Sequence, residues 1–149
     1  MEISDPISAI LDVKPNDLWT IQANATVYEA ITLMAEKNIG ALPVMDDKRL
    51  AGIVSERDYT RQIILQGKSS KNTFVRDIMT ADLICVSPAD TVEHGMKLMT
   101  QRKVRHLPVL VDDGLVGIIS IGDLVRWTIS AQGALISQLE SYISNSYPA

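Results

Sequence analysis

The sequence predicts an α/β fold assembled from two similar units, and three observations predict it. A strand–Ser–x–x–Asp–helix junction is written twice, at Gly52-Ile53-Val54-Ser55-Glu56-Arg57-Asp58 and at Gly117-Ile118-Ile119-Ser120-Ile121-Gly122-Asp123. Both stretches sit on an internal repeat: placing Thr91 on Thr26 sets an offset of 65 residues that holds without a gap into the final helix. Within each copy the apolar pattern alternates between helical and strand periods, in the order strand–helix–strand–strand–helix. Each copy is too small to bury its own faces well, so two copies packed sheet against sheet, with an internal pseudo-two-fold, is the expected architecture.

The elements are taken in chain order. Residues 1–17 are a lead segment, with a short helix at Pro6-Ile7-Ser8-Ala9-Ile10-Leu11, Asp5 as N-cap and Pro6 at the first helical position. Lys14-Pro15-Asn16-Asp17 reads as a turn and Leu18-Trp19-Thr20-Ile21 as a short strand. Thr26-Val27-Tyr28-Glu29 opens a helix as a capping box, with Val27, Ala30, Ile31 and Met34 on its apolar face and Asn38-Ile39-Gly40 at its end. Leu42 to Met45 and Leu50 to Val54 are paired strands around the polar turn Asp46-Asp47-Lys48-Arg49. From Ser55 a helix runs to about Leu65, burying Tyr59, Ile63 and Ile64.

Gln66 to Asn72 is a polar linker, and Val75 to Thr80 makes one helical turn before the pattern restarts. The repeat then matches Val27 with Val92, Leu33 with Leu98, Met34 with Met99, Leu42-Pro43-Val44 with Leu107-Pro108-Val109, Asp47 with Asp112 and Leu50 with Leu115. Gly52-Ile53, Ser55 and Asp58 find Gly117-Ile118, Ser120 and Asp123 in the same frame. The implied organisation is a lead segment 1–17, a first unit 18–66, a linker 67–83, a second unit 84–130 and a helical extension 131–149. Along that extension Leu135, Ile136, Leu139, Tyr142 and Ile143 line one face. Such a face either lies back over its own domain or meets a second subunit.

Composition removes several function classes. Hydrophobic content of 46% and charged content of 21% fit a globular protein with a true core. A net charge of −4 without a dense basic run argues against double-stranded nucleic acid as a partner, since phosphate binding needs clustered Lys and Arg. No apolar run approaches a membrane span of ~18 residues, and the N-terminus carries no basic-then-apolar signal, so a cytoplasmic location is expected. The single Cys85 excludes an internal disulfide framework and a Cys-based zinc site, and it reads as a small buried strand residue. No GxxxxGK[ST] or GxGxxG motif occurs, and no His or acid cluster stands at triad or metal-ligand spacing, so neither catalysis nor a required metal is expected.

The junctions themselves admit two readings. Ser-x-x-Asp at a helix start is a capping arrangement, with the acid favourably placed against the helix dipole. It is also chemistry suited to a nucleotide: a carboxylate accepts both hydroxyls of a ribose cis-diol, and the helix N-terminus favours a phosphate. Duplication copies a cap as readily as a site. Trp19 and Trp127 divide likewise between core and stacking platform, and His106 between a half-buried strand residue and a phosphate partner; His94 reads as a surface residue.

The repeat, with its Leu-Pro-Val strands and Gly-h-h-Ser-x-x-Asp junctions (h, apolar), resembles the cystathionine-β-synthase-type (CBS) domain pair over about Leu18 to Ile129. Asp77-Ile78-Met79-Thr80 is similar to the short element that leads into a CBS unit, and Ser55 to Tyr59 and Gln66 to Ser70 are similar to stand-alone bacterial CBS pairs and their plant organelle relatives. The resemblance implies a tandem pair of CBS units with clefts that bind adenosine derivatives, AMP foremost, with ATP, ADP or NAD(H) as alternatives. It also implies a homodimer and a regulated partner protein. By resemblance, one cleft combines Ser55, Arg57 and Asp58 with Met79, Thr80, Ile84, Val104 and Arg105. The other combines Ser120 and Asp123 with Lys14, Trp19, Ile39, Gly40 and Ala41, and Arg105 and His106 stand where many members carry basic phosphate ligands. On this count the first junction is the richer in cations, because Arg57 is replaced by Gly122 in the second, and the ranking inverts if Arg105 or His106 serves the second cleft instead. An S-adenosylmethionine sensor and a protein-interaction module with vestigial clefts are the competing readings.

Overall fold

The computed structural model describes residues 1–14 and 17–146, so Pro15 and Asn16 of the expected turn and the last three residues of the extension lie outside the described residues. The chain divides into two compact units, each drawn from several stretches. A terminal unit holds residues 1–16, 86–107 and 119–149, and a central unit holds 17–85 and 108–118.

In the central unit, β1 (Ile21–Gln22) runs parallel to β2 (Ala41–Asp46), with Ile21 opposite Val44. β3 (Arg49–Ser55) returns antiparallel to β2, pairing Ala41 with Ser55 and Val44 with Gly52. The hairpin turns through Asp47 at φ 55°, a left-handed position that Asp tolerates because its short side chain bonds locally. β1 is shorter than the sequence suggested: Leu18 to Thr20 stay outside the ladder. Helix α2 (Val27–Lys37) begins at the expected capping box, Thr26 Oγ1 accepting from the Glu29 amide and the Glu29 carboxylate from the Thr26 amide. It ends at Asn38 in the left-handed region, a position that Asn takes more readily than other non-glycine residues. Val27, Ala30, Met34, Leu42, Val44 and Val54 form the core with Ile63, Val75 and Ile78.

The helix that starts at Ser55 departs from expectation. Only Glu56–Tyr59 (α3) is α-helical, and Thr60–Ile64 forms a π-helical turn in which the Leu65 amide reaches the Thr60 carbonyl at 3.1 Å. The wider turn holds an extra residue and rotates the side chains beyond it. Ile63 is therefore buried while Ile64, which the helical spacing also placed inside, is 57% exposed. The polar stretch after it carries a 3₁₀ turn at Ser70–Asn72, and a second at Val75–Asp77 supplies the expected single turn.

The terminal unit contains α1 (Ile7–Val13), α4 (Val92–Arg102) and the 26-residue α5 (Ile121–Ser146). Pro6, not Asp5, is the N-cap of α1. β4 (His106–Val111) and β5 (Gly114–Ser120) pair with each other, their feet in this unit and their tip in the central one. Ile7, Ile10, Val92, Leu107, Ile119 and Leu124 are buried, and the Trp127 indole donates to the Glu2 carbonyl at 2.9 Å. Cys85 lies in an irregular segment, not a strand, and is half-buried.

Each unit joins one repeat to the segment that precedes the other. Pro6 bridges Thr91, and the Ile7 amide donates to the Asp90 carbonyl at 2.8 Å. Phe74 bridges Thr26, and the Val75 amide donates to the Ala25 carbonyl at 2.8 Å. This exchange decides which residues reach each junction.

Candidate functional site

At the junction of the terminal unit, β5 hands over to α5 at Ser120. The Asp123 amide donates to Ser120 Oγ at 3.1 Å and the Ser120 amide to Asp123 Oδ2 at 2.8 Å, closing a reciprocal cap. The Ile121 amide donates to the Arg105 carbonyl at 2.9 Å, which ties the helix start to the residue before β4. The cap places the Asp123 side chain inward, where it is 6% exposed and the one buried charged or polar residue among those described.

A buried carboxylate needs partners, and two cations supply them. Lys14, the C-cap of α1, brings its Nζ 2.7 Å from Asp123 Oδ2, and Arg126, one helical turn on, brings Nη2 2.6 Å from Oδ1. Burial pushes the Asp123 carboxyl up, but hydrogen bonds from Lys14 and Ser120 and the Lys14 charge outweigh it and hold the pKa below its ordinary 3.8. His106 stands nearby, half-buried at the start of β4. Burial pulls its pKa below 6.5, with Asp123 opposing and Lys14 and Arg105 adding to the depression. A cavity of about 320 Å³ opens beside the acid, lined by Ile10, Val13, Lys14, Asp123, Arg126 and Trp127 among others. That is the lower end of the range for small-molecule sites. An apolar wall, one buried acid and two cations suit a ligand with an apolar plate, vicinal hydroxyls and negative charge.

The junction of the central unit repeats the cap with other surroundings. The Ser55 amide donates to Asp58 Oδ2 at 2.9 Å and the Asp58 amide to Ser55 Oγ at 3.2 Å, while the Ser55 hydroxyl also donates to Oδ2 at 3.0 Å. The Glu56 amide meets the Gly40 carbonyl at 3.0 Å, the counterpart of the Arg105 contact. Thr80 pairs with Ile53 through both backbone groups, at 2.8 and 2.9 Å, and holds Met79 against the strand. A Cβ on Gly52 would lie 2.7 Å from both Met79 Sδ and the Thr80 carbonyl oxygen, so glycine is what permits this approach.

The structure thus brings Lys14, Ser120 and Asp123 together, and separately Ser55 and Asp58, with Met79 and Thr80 against the strand that leads to them. Arg105 and Val104 belong to the terminal unit, exposed and half-buried respectively; Ile39, Gly40, Ala41 and Ile84 belong to the central unit. Trp19 is not core: it is exposed, with the Lys37 ammonium 4.0 Å over its ring, whereas Trp127 is buried. His94 is exposed. The ion pairs to the two acids fall unequally. Arg57 is exposed and forms no ion pair among the described residues, while Asp123 in the second junction holds two.

Sequence reasoning missed Arg126. The signal was present, since Arg126 lies three residues after Asp123 on a helix, and Arg61 occupies the same place after Asp58. Only one of the two closes on its acid: no ion pair joins Arg61 to Asp58 among the described residues. Arg61 lies within the π-helical turn, whereas Arg126 lies in regular α-helix. No group of three or more His, Cys, Asp or Glu residues suited to a metal ion occurs among the described residues, and no described helix is long and apolar enough to cross a membrane.

Comparison with known proteins matches residues 10–64 and 75–130 to the CBS domain. The chain is 46% identical over 135 residues to a mitochondrial CBS domain-containing protein of Arabidopsis thaliana, CBSX3, covering 87% of this chain and 65% of that one. It therefore spans a little under two thirds of that relative. It is 32% identical over 128 residues to the CBS domain-containing protein YhcV of Bacillus subtilis, covering 86% of this chain and 91% of that one. Among solved structures, a protein from Burkholderia ambifaria described as a signal-transduction protein with CBS domains superposes with a TM-score of 0.82 at 49% identity, covering 85% of this chain and 96% of that one.

Proposed function

Since the chain belongs to the CBS domain family as a tandem pair, a type of regulatory module, we propose that it senses an adenine nucleotide and signals to a partner protein. The observation that carries this reading is the Asp123 carboxylate, buried at the start of α5 between two cations and open to a cavity with an apolar wall. A ribose cis-diol offers two adjacent donors to that carboxylate, and Lys14 and the N-terminal end of α5 offer positive charge to a phosphate. Ile10, Val13 and Trp127 offer apolar surface to a base. AMP is the simplest ligand with all three parts, and ATP or NAD(H) extends it. Ser55 and Asp58 form a second acceptor of the same design without the cations.

Regulation then requires that the ligand bind one conformation better than another. Lys14 lies at the end of α1 and Asp123 at the start of α5, so a ligand that rearranges their contact acts on two helices together. The protein is further proposed to work as a cytoplasmic homodimer, supported by the apolar residues Leu135, Ile136, Leu139, Tyr142 and Ile143, all exposed along the second half of α5.

Calorimetry tests the reading directly. Wild type is expected to bind AMP, ATP or NAD(H) with Kd below about 1 mM, and the Asp58→Ala, Asp123→Ala double variant to bind none. Absence of binding by wild type to all of these, and to S-adenosylmethionine, removes the nucleotide reading and leaves a protein-interaction module. A monomeric mass by light scattering at tens of micromolar removes the dimer.

A further inference from the structure

Three of the roughly four acceptor positions of the Asp123 carboxylate are taken before any ligand arrives, one fewer left than the two donors of a diol require. Oδ2 accepts from the Ser120 amide and from Lys14, and Oδ1 accepts from Arg126. A ribose diol needs those same oxygens, so binding has to move a cation off the acid. The Ser120 amide bond belongs to the helix cap, and Lys14 is packed at the end of α1 with its side chain 29% exposed. The Arg126 side chain is 73% exposed and is the partner that swings out at least cost.

The room for the resting pair is written into position 122. A Cβ there would lie 3.3 Å from Arg126 Nη1, tighter than ordinary contact, so Gly122 leaves space for the guanidinium to fold back over the first turn. At the matching position of the other junction stands Arg57. There the helix also enters its π-helical turn one residue before Arg61, and no ion pair joins Arg61 to Asp58 among the described residues.

Moving a cation away from a buried carboxylate is unfavourable unless the cation gains another anion. A neutral nucleoside supplies hydroxyls to the acid and nothing to the displaced guanidinium. A nucleoside phosphate supplies both. Resting on the nucleotide reading above, we infer that Lys14, Asp123 and Arg126 form an ion-exchange gate that admits adenine ligands only when they carry both a cis-diol and a phosphate, with Arg126 passing from the acid to the phosphate as the ligand seats. Arg126 is then the residue that sets specificity for charge. Adenosine is rejected for want of an anion, and S-adenosylmethionine because its sulfonium meets two cations.

The test compares AMP, adenosine, 2′-deoxy-AMP and S-adenosylmethionine by calorimetry on the full chain, as wild type, as Asp58→Ala to isolate the Asp123 site, and as Asp58→Ala with Arg126→Gln. Arg126 is largely exposed, and a melting curve checks that each variant is folded. In the Asp58→Ala protein AMP is expected to bind about 100-fold or more tighter than adenosine, from charge-assisted bonds that adenosine cannot make. Loss of the 2′-hydroxyl weakens AMP, and S-adenosylmethionine does not bind. Arg126→Gln lowers AMP affinity while raising adenosine affinity, so the ratio between them falls about 10-fold or more. An unchanged ratio, with AMP still bound, overturns the gate and leaves the nucleotide reading standing. So does binding by wild type that vanishes in Asp58→Ala. Failure of wild type to bind any of the four overturns the gate, and failure to bind ATP and NAD(H) as well overturns both.

Discussion

The two Ser-x-x-Asp junctions share a helix cap and differ in the charged side chains that reach their acids. Both caps close with the same pair of bonds, 2.9 and 3.2 Å at Ser55–Asp58 and 2.8 and 3.1 Å at Ser120–Asp123. Asp58 is half-buried and shares one of its oxygens with the hydroxyl of its own cap, whereas Asp123 is buried and gathers Lys14 and Arg126. Three departures from the repeat account for this. Lys14 stands where the other copy has Met79, Gly122 where it has Arg57, and a regular α-helix where it has a π-helical turn. Duplication preserved the cap, which is local, and freed the charge environment, which is not.

The largest effect that can break this comparison is on Lys14. Lys14→Met gives the terminal unit the residue of its counterpart and leaves a buried carboxylate with only an exposed arginine. The expected destabilisation is about 3 kcal/mol, a fall in Tm of roughly 6–12 °C for a chain of this length. Arg57→Met, at the cation that the sequence favoured, is expected to change stability by less than about 0.5 kcal/mol. Equal shifts in thermal unfolding would erase the distinction between the junctions.

Gly52→Ala probes the close approach of Met79 and Thr80 to the strand in the central unit. The added Cβ meets Met79 Sδ, which can yield, and the Thr80 carbonyl oxygen, which is fixed by the Ile53 ladder. A cost of about 2 kcal/mol is expected from such overpacking. Hydrogen exchange should show the loss at the Ile53 and Thr80 amides first, and protection retained there would mean that the strand accommodates the methyl group.

Much of this was legible because it is local. The capping box at Thr26 and Glu29, the Leu-Pro-Val strands and the Ser-x-x-Asp junctions are set by residues within a few positions of each other, and the structure returns each of them. The convergence of Lys14 on Asp123 joins residues 109 apart in the chain, and no spacing rule announces it; only the family resemblance put the two together. The π-helical turn was invisible because nothing in the residue types of Thr60 to Ile64 separates it from a regular helix. Arg126 was legible and overlooked: the repeat prints it twice, but only in one copy does the helix carry it to the acid.

The shared part of the junctions sets the next effect in size. Ser55→Ala and Ser120→Ala each remove a side-chain cap and are expected to cost about 1 kcal/mol. Similar values in chemical denaturation mark the caps as equivalent copies. A markedly larger cost at Ser120 would show that its hydroxyl also organises the ion cluster, and would sharpen the asymmetry.

The smallest effect is a titration confined to one unit. His106 heads β4 where the other copy has Ala41. Its folded pKa is depressed below 6.5, mainly by burial, with Lys14 and Arg105 adding to the effect of burial and Asp123 opposing it. The unfolded chain therefore binds the proton more readily, and stability rises with pH across that interval. The contribution of His106 is fully present above pH 6.5 and declines as the pH falls through the folded value. The Asp123 contribution has the same sign but is lost only in acid, below 3.8. His106→Gln is expected to flatten stability against pH just below neutrality and to leave the acid limb unchanged. A phosphate seated on the Lys14 and Arg126 cations would act oppositely on the imidazole, raising its pKa, so nucleotide affinity should increase as the pH falls through the same interval. If His106→Gln leaves the slope between neutral and mildly acid pH intact, the imidazole is not the group that titrates there, and the difference between the two units lies in their cations alone.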